Sequence, residues 1–263
     1  WLKHLLVRVN EAGEALITFI TADESFPRRE QLMGRMTEGC PEIRGIFQNI
    51  QPRPTSIVTG RMWLHLWGAR RLTEVICGLN LATSPGSFLQ VNTGAARLLY
   101  ERALQEAQLE ADMTVLDLYC GAGVLALLAG VTAAEAIGVD ELDSAIEDAR
   151  ENARANGIEG VTFHALTVER FLRRACAQKL LPADSLVVFV DPPRAGCQPH
   201  VIKGLLELAP CRIIYVSCNP ATLARDLEAL SGQYHLESLA AIDLFPQTSH
   251  IEAVARLERK ATR

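Results

Sequence analysis

From Met113 onward, short apolar runs alternate with polar segments that are each long enough for one helix. The runs are TVLDLY, AIGVD, VTFHAL, SLVVFVD and RIIYVSC. Short runs rich in Val, Ile and Leu, separated by roughly 10 to 15 residues of helical pattern, are typical of a parallel sheet with helices on both faces. The alternation therefore predicts a doubly wound, Rossmann-like α/β domain, which ends in two further strands, YHLESLAAID and HIEAVARLE.

Three helices of this region have recognisable ends. We expect one from Asn92 to Gln108 and another from Pro220 to Leu230. A third runs from Asp143 to Asn156, with Asp143 or Ser144 as its N-cap and Gly157 after its end, because short polar residues favour N-caps and glycine favours the residue after a helix.

The N-terminal part follows a different pattern. LKHLLVRVN, EALITFIT, IRGIFQNI and RMWLHLWG are strand-like, and FPRREQLMGRM is a turn or a helix. We find no catalytic motif among them. The sequence therefore predicts two domains: a small α+β domain over residues 1–85, and the α/β domain over residues 86–263.

Composition limits the cellular compartment and the kinds of site that we expect for this chain. The chain has 263 residues and no apolar run of the roughly 20 residues needed to cross a membrane. Its seven cysteines include no CxxC pair, which argues against a zinc site, an iron–sulfur cluster or a disulfide framework and favours the cytoplasm. The net charge is −5, but residues 1–75 hold ten Lys and Arg against eight Asp and Glu, so any RNA-binding surface must be a local patch.

Cys218 ends the run RIIYVSC, and Asn219 and Pro220 after it suit an N-cap and a first helical turn. The thiol is then expected at a loop, beside the positive end of a helix, where its thiolate is favoured. Such a thiol suits a nucleophile. The alternative is a small apolar residue that closes a buried strand.

A glycine-containing turn follows the first strand of the α/β domain. Gly121 and Gly123 allow the backbone to approach a ligand, and Asp140, at the end of the next strand, can accept hydrogen bonds from ribose hydroxyls. The third glycine of a dinucleotide fingerprint is missing. Instead, DLYCGAG followed by GVD resembles the S-adenosylmethionine site of class I methyltransferases.

A nucleophilic cysteine narrows the chemistry of a methyltransferase. Addition of a thiolate to carbon 6 of a pyrimidine turns carbon 5 into a nucleophile that can attack a methyl group, and a base must then remove the carbon 5 proton. Glu252, at the start of the apolar strand EAVARL, is the candidate base. A glutamate at that position can also be merely solvated.

Five motifs, in this order, resemble the RNA 5-methyluridine methyltransferase family: FLQVN, DLYCGAG, DPPRAG, YVSCNPATLARD and DLFPQTSHIE. The resemblance covers roughly residues 85 to 258. It implies a nucleophilic Cys218 and Glu252 as the base. The other site residues that it implies, for the cofactor S-adenosylmethionine or for the uracil, are Gln90, Tyr119, Gly121, Gly123, Asp140, Asp191 and Asn219.

The same resemblance implies an RNA partner. We also expect a monomer and, from the cysteine pattern, no metal. Members act on 23S ribosomal RNA or on the T-loop of transfer RNA, and YVSCNPATLARD favours the ribosomal substrate. Arg194 is a candidate phosphate contact, or else part of a structural ion pair. A target uridine must leave its stack to reach a thiol, so Phe88 and Phe245 are candidates to stack on it, although each is also a candidate core residue.

The chain departs from the family pattern in two respects. The N-terminal RNA-binding barrel and the four-cysteine cluster of larger members are not visible, so residues 1–85 would correspond to the central, RNA-facing domain. Val124 and Thr167 stand where some members have polar residues, so cofactor contacts can differ.

Three other functions compete with this interpretation. DPPR could indicate an amino methyltransferase, but such enzymes need no thiol. A DNA cytosine methyltransferase carries its cysteine after a proline, and the one such pair, Pro210-Cys211, precedes a strand. A non-catalytic RNA-binding factor would have no chemical need for Cys218 and Glu252.

Overall fold

The computed structural model describes residues 1–55, 57–87, 89–90 and 92–261. It divides into two units that are interleaved in the sequence. Unit 1 comprises Trp1–Glu74 and Leu81–Ser87, and unit 2 comprises Val75–Asn80 and Phe88–Arg263.

The elements follow the chain in this order: β1 (Leu2–Val9), β2 (Ala15–Thr21), α1 (Arg29–Gly39), β3 (Ile43–Ile50), β4 (Met62–Gly68), β5 (Leu72–Ile76), β6 (Leu79–Thr83), α2 (Thr93–Ala107), β7 (Thr114–Leu118), α3 (Val124–Ala129), β8 (Glu135–Asp140), α4 (Asp143–Ala155), β9 (Val161–Ala165), α5 (Val168–Gln178), β10 (Leu186–Val190), α6 (Pro199–Leu208), β11 (Arg212–Ser217), α7 (Pro220–Leu230), β12 (Tyr234–Ile242) and β13 (Glu252–Arg259).

Unit 1 is built on a four-stranded sheet in the order β1-β2-β3-β4. The β2–β3 pair is parallel because α1 connects these two strands, and the other two pairs are antiparallel. Apolar side chains of β2 and β3, among them Ile17, Phe19 and Ile46, form a core against Leu32 and Met36 of α1. The strand-like runs of the N-terminal sequence thus form one α+β sheet.

Unit 2 is built on a seven-stranded sheet in the order β12-β13-β11-β10-β7-β8-β9. The strands from β11 to β9 are parallel, whereas β13 is antiparallel to both of its neighbours. Helices α5, α6 and α7 share one core with Leu116 and Val188, while α2, α3 and α4 pack on the opposite face. The predicted doubly wound α/β fold is confirmed.

The predicted helix ends are mostly confirmed. Asn92 caps α2 by accepting a hydrogen bond from the Ala95 N–H at 3.2 Å, and Asn219 caps α7. The predicted N-cap of α4 is wrong: Leu142 occupies that position, with no side-chain capping bond. The Asp140 carboxylate bonds the Leu142 N–H at 2.9 Å instead, so the residue that ends β8 also organises the start of α4.

The described ranges contain neither a membrane-spanning helix nor a cluster of metal ligands. No helix there is long and apolar enough to cross a membrane. No group of three or more His, Cys, Asp or Glu side chains in these ranges is arranged to hold a metal ion.

Candidate active site

The carboxyl ends of β7, β8, β10 and β11 lie along one edge of the unit 2 sheet. Asp140 ends β8, Asp191 follows β10 and Cys218 follows β11. The chain order reverses on either side of β7, between β8 and β10, and such a switch point leaves a crevice in which ligands of open α/β sheets bind. The fold therefore brings together side chains that are far apart in the sequence.

The turn after β7 is tightly folded. Tyr119 and Gly121 adopt left-handed backbone conformations, with φ of 64° and 53°. The Gly121 N–H donates to Asp140 Oδ2 at 3.0 Å, and the Ala126 N–H at the start of α3 donates to Asp117 Oδ2 at 2.9 Å. Two acidic side chains thus hold the turn. Because Asp140 Oδ1 also accepts from the Leu142 N–H, a ligand's hydroxyl group would share the Asp140 oxygens with these backbone donors.

Gly123 has a packing role. Its φ is 86°, and a Cβ atom there would come within 2.9 Å of the Phe163 ring and the Ala149 side chain. Gly121 lines the pocket at this turn, whereas Gly123 does not. Gly123 is therefore needed for close packing between the turn, α4 and β9, and a contact of Gly123 with the cofactor stays a prediction.

A small pocket lies beside this turn. Its lining is formed by Tyr100, Asp117, Tyr119, Cys120, Gly121, Ala122, Val124, Leu125 and Asp191. Three predicted cofactor residues, Tyr119, Gly121 and Asp191, are thus together. Val124, one of the departures from the family pattern, supplies an apolar part of the wall.

Cys218 and Glu252 lie at the ends of neighbouring strands. Ser217, the last residue of β11, pairs with Ala253 of β13, which places Glu252 beside the residue that follows Ser217. Glu252 is only 4% exposed, and Cys218 is partly exposed. The Glu252 carboxyl group forms no hydrogen bond with the described part of the chain, so the carboxyl remains free to act on a ligand.

Two carboxylates and one guanidinium group act electrostatically on the Cys218 thiol. Burial raises its pKa above the usual value, the carboxylates of Glu252 and Asp191 raise it further, and Arg194 lowers it less. The expectation of a favoured thiolate is therefore wrong for the ligand-free protein. The helix end beside the sulfur was visible in the sequence, but the two carboxylates come from distant strands.

The carboxyl groups of the site hold their protons unusually tightly. Burial raises the pKa of Asp191 to about 6 and, with the nearby Asp191 charge, that of Glu252 to about 7. Asp117 is 1% exposed, and burial raises its pKa well above the usual range. The site therefore carries protons that can exchange near neutral pH.

Arg194 is the cation of this group of side chains. Its guanidinium lowers the pKa of both Cys218 and Glu252, and its Nη2 donates to His250 Nδ1 at 2.8 Å. His250 was not predicted as a site residue. It belongs to the motif DLFPQTSHIE, so the motif contained the signal, but only the fold places its ring against Arg194.

Asn219 holds the backbone around the site through two side-chain hydrogen bonds. Its Oδ1 accepts from the Ala221 N–H at 3.1 Å, and its Nδ2 donates to the Arg194 carbonyl oxygen at 3.0 Å. The amide therefore caps α7 and fixes the loop after β10. A direct contact of Asn219 with substrate stays a prediction.

The remaining predicted residues lie in different surroundings. Phe245 is half-buried, with its ring centroid 6.2 Å from that of His250. Gln90 is buried but is not among the described residues that line the pocket, and Phe88 lies outside the described residues. Thr167 caps α5 through the Arg170 N–H, a helix-capping role for that departure from the family pattern.

Tyr100 is a site residue that the sequence reasoning missed. It lies on the buried face of α2, is 7% exposed and lines the pocket. Burial and the charges of Asp191, Asp117 and Glu252 raise the pKa of its phenol. A tyrosine on an apolar helix face usually signals core packing, so the sequence offered no clear sign of this position.

Comparisons with known proteins find relatives along nearly the whole chain. The tRNA (uracil-5-)-methyltransferase family profile matches residues 79–260. An uncharacterized RNA methyltransferase of Oceanobacillus iheyensis is 37% identical over 261 residues, which are 98% of this chain and 56% of the relative. One of Halalkalibacterium halodurans is 39% identical, with the same coverage. The chain thus spans little more than half the length of these relatives.

A solved structure is similar along nearly the whole chain. The crystal structure of Pyrococcus abyssi tRNA (uracil-54, C5)-methyltransferase in complex with S-adenosyl-L-homocysteine has a TM-score of 0.75 and 26% sequence identity, and the match covers 98% of this chain and 60% of that one. A putative S-adenosylmethionine-dependent methyltransferase from Streptococcus mutans, with a TM-score of 0.60 and 12% identity, shares the fold.

Proposed function

Because this chain belongs to the tRNA (uracil-5-)-methyltransferase family, we propose that it methylates carbon 5 of a uridine in RNA with S-adenosylmethionine as the methyl donor. The observation that supports this most is the adjacency of Cys218 and Glu252 at the ends of β11 and β13. A thiol and a carboxyl group side by side are the two groups that this chemistry requires.

The pocket suits the proposed cofactor. S-adenosylmethionine supplies a methyl group bound to a positively charged sulfur. Asp140, at the end of β8, is placed to accept from ribose hydroxyls, and the backbone turn at Gly121 allows close approach. The buried Asp117 and the half-buried Asp191, which both line the pocket, favour a cationic ligand.

Cys218 acts as the nucleophile in this proposal. Its thiolate adds to carbon 6 of the uracil, and the electron pair of the carbon 5–carbon 6 double bond becomes available at carbon 5, which forms the new bond to the methyl carbon. Because the resting thiol is mostly protonated, it must ionise once its surroundings become less negative. Arg194 already lowers its pKa.

Glu252 acts as the base. It takes the proton from carbon 5, the electrons of that bond restore the double bond, and the bond between carbon 6 and sulfur breaks to return the Cys218 thiolate. A carboxyl group with a pKa of about 7 is well suited to both taking and releasing a proton near neutral pH.

We further propose that the exposed groups beside the thiol hold the RNA. Arg194 is placed to contact a phosphate, and the half-buried Phe245 is placed to stack on a base that has left its helix. The Phe245 ring contacts His250, His250 accepts from Arg194, and Arg194 acts electrostatically on Glu252, so these groups belong to one part of the site.

Two RNA classes are candidates. The motif YVSCNPATLARD favours 23S ribosomal RNA. Transfer RNA is favoured by the similar solved structure, which is a tRNA (uracil-54, C5)-methyltransferase. We propose the ribosomal substrate and make transfer RNA the second arm of the experiment.

The test uses RNA that contains 5-fluorouridine. Fluorine at carbon 5 cannot be removed by Glu252, so the methylated adduct on Cys218 is expected to persist on a denaturing gel. Wild-type protein, Cys218→Ala and the control Cys40→Ala, at an exposed thiol of unit 1, are each incubated with fragments of 23S ribosomal RNA or transfer RNA.

A shifted band that requires both S-adenosylmethionine and Cys218 is expected, and the RNA pool that gives it identifies the substrate class. An undiminished band with Cys218→Ala would remove the thiol from the mechanism. Bound RNA and bound cofactor without any adduct would instead indicate a non-catalytic RNA-binding factor.

A further inference from the structure

Asp117 and Asp191 line the pocket of unit 2, and Glu252 lies close enough to Asp191 for its pKa to respond to that charge. Asp117 of β7, Asp191 after β10 and Glu252 of β13 are close enough to raise one another's pKa or that of Tyr100, which faces all three. We call Asp117, Asp191 and Glu252 the carboxyl cluster. Asp117 and Glu252 are 1% and 4% exposed.

The carboxyl cluster is poorly compensated within the chain. Asp117 accepts one backbone hydrogen bond, from Ala126, whereas the carboxyl groups of Asp191 and Glu252 form none with the described residues. Among those residues, Arg194 is the cation that acts on Glu252. Glu252 is buried and Asp191 is half-buried, and carboxylates so placed without partners are unfavourable, so this arrangement points to a ligand that brings positive charge.

The other titratable groups around the carboxyl cluster do not supply that charge. Tyr100 faces it from α2, Asp140 acts on Asp117 from β8, and Cys218 faces Glu252 and Asp191 from the end of β11. None of these groups is cationic. The charged side chains among the described residues that line the pocket are therefore both acidic, those of Asp117 and Asp191.

We propose that the carboxyl cluster distinguishes the positively charged sulfur of S-adenosylmethionine from the neutral sulfur of S-adenosylhomocysteine, by binding fewer protons while the cation occupies the pocket. This inference rests on the proposed function, because it assumes that cofactor. It adds that Asp191 and Glu252 set the preference between substrate and product forms of the cofactor.

The chemistry of the site places the cofactor's sulfur near these groups. Carbon 6 of the uracil must lie at Cys218, and the hydrogen on carbon 5 must be within reach of Glu252. The methyl group must approach carbon 5 as well. The sulfur that carries it is therefore close to the carboxyl groups that face Cys218, which are those of Glu252 and Asp191.

This arrangement determines the step at which Glu252 takes up a proton. While the positive charge is present, Glu252 is held as a carboxylate. Methyl transfer breaks the sulfur–methyl bond, leaves its electron pair on sulfur and so removes the positive charge from the pocket. Glu252 then attracts a proton more strongly, at the step at which the proton on carbon 5 must be taken. The neutral product is also held less tightly, which favours its release.

The test is calorimetric titration of the chain in buffers with different ionisation enthalpies, which counts the protons released on binding. At pH 6.5, between the pKa of Asp191, about 6, and that of Glu252, about 7, S-adenosylmethionine is expected to release roughly half a proton. S-adenosylhomocysteine is expected to release close to none. Sinefungin, with an amino group in place of the sulfonium, should behave like S-adenosylmethionine.

The ratio of the dissociation constants of S-adenosylhomocysteine and S-adenosylmethionine gives a second readout. Between pH 5.5 and pH 8 the preference for S-adenosylmethionine over S-adenosylhomocysteine should rise about tenfold, because each proton released changes the dissociation constant tenfold per pH unit. Asp191→Asn should reduce both the proton release and this rise. Glu252→Gln should do the same and serves if Asp191→Asn does not fold.

Asp112→Asn is the matched control. Asp112 is exposed and precedes β7, at the opposite end of the strand that carries Asp117. It should titrate like the wild type. Tight binding of S-adenosylmethionine with no proton release and a ratio independent of pH would overturn the inference alone. Failure of both cofactor forms to bind at any pH would overturn the proposed function with it.

Discussion

The Tyr215 hydroxyl donates a hydrogen bond of 2.6 Å to Asp226 Oδ2, and the Cys197 N–H donates to the same oxygen at 2.7 Å. The other carboxylate oxygen accepts from Arg225 Nη2 at 2.7 Å. Tyr215 lies in β11 and Asp226 in α7, and both are almost fully buried. One carboxylate therefore ties the loop after β10 to the helix that follows Cys218.

Removal of the Asp226 carboxylate should lower the free energy of unfolding more than removal of the Tyr215 hydroxyl. Asp226→Ala is expected to lower the free energy of unfolding by about 3 kcal/mol, because two buried donors lose their acceptor. Tyr215→Phe removes one donor and should cost about 1 kcal/mol. Urea denaturation of both variants measures the difference. Equal losses would show that the Cys197 and Arg225 bonds to Asp226 add nothing to stability.

Gly123→Ala should destabilise the fold far more than Gly157→Ala. Both glycines have positive φ, of 86° and 62°, so both substitutions carry backbone strain. Only at Gly123 would the new Cβ meet other atoms, those of Phe163 and Ala149, whereas Gly157 faces open space. We expect losses of about 3 and 1 kcal/mol in chemical denaturation. Similar losses would mean that strain alone explains Gly123.

Glu252→Gln should stabilise the protein increasingly as pH rises. The folded state raises the pKa of Glu252 from 4.5 to about 7, so between these values the folded protein binds more protons than the unfolded chain and loses stability with rising pH. Glutamine removes this loss. The stability difference between variant and wild type should grow by about 3 kcal/mol from pH 4.5 to pH 8. A difference that stays constant with pH would contradict the raised pKa.

Alkylation of Cys218 should be slow near neutral pH and should respond to Glu252. The thiolate is the reactive form, and burial with two neighbouring carboxylates raises the thiol pKa above 9.0. At pH 8 the charge on Glu252 is present, so Glu252→Gln should speed alkylation roughly threefold. At pH 5.5 Glu252 is already neutral and the two rates should converge.

Peptide mass spectrometry separates Cys218 from the six other thiols, with the exposed Cys40 as the internal reference. An equal increase at Cys40 would attribute the effect to the reagent or to general unfolding. The same rate for Cys218 in both proteins at pH 8 would show that the carboxylate does not act on the thiol.

The α/β part of the fold could be predicted because its signals are local. Apolar runs mark the strands, and Asn219 and Pro220 mark the start of α7. The wrong N-cap of α4 has a specific cause: Asp140 takes the Leu142 N–H, and the helix starts without a side-chain cap. Residue preferences for the N-cap favour Asp143 or Ser144, and they do not show that Asp140 bonds the backbone at the start of the helix instead.

The site was only partly predictable because its electrostatics are non-local. Cys218 and Glu252 could be identified by motif and chemistry. The raised pKa of the thiol depends on carboxylates from β13 and from the loop after β10, and the role of Tyr100 depends on where α2 packs. These relations arise from the order of strands in the sheet, which no short stretch of sequence encodes.

The reversed strand β13 is hydrogen-bonded on both sides. Ala253 pairs with Ser217 of β11 and with Ala241 of β12. A slip by one residue would turn Glu252 to the opposite face of the sheet and break two ladders at once. Insertions or deletions in the loop over residues 243–251 must therefore be absorbed by the loop itself. Relatives can diverge there in what the loop touches while the carboxylate at its end keeps its place.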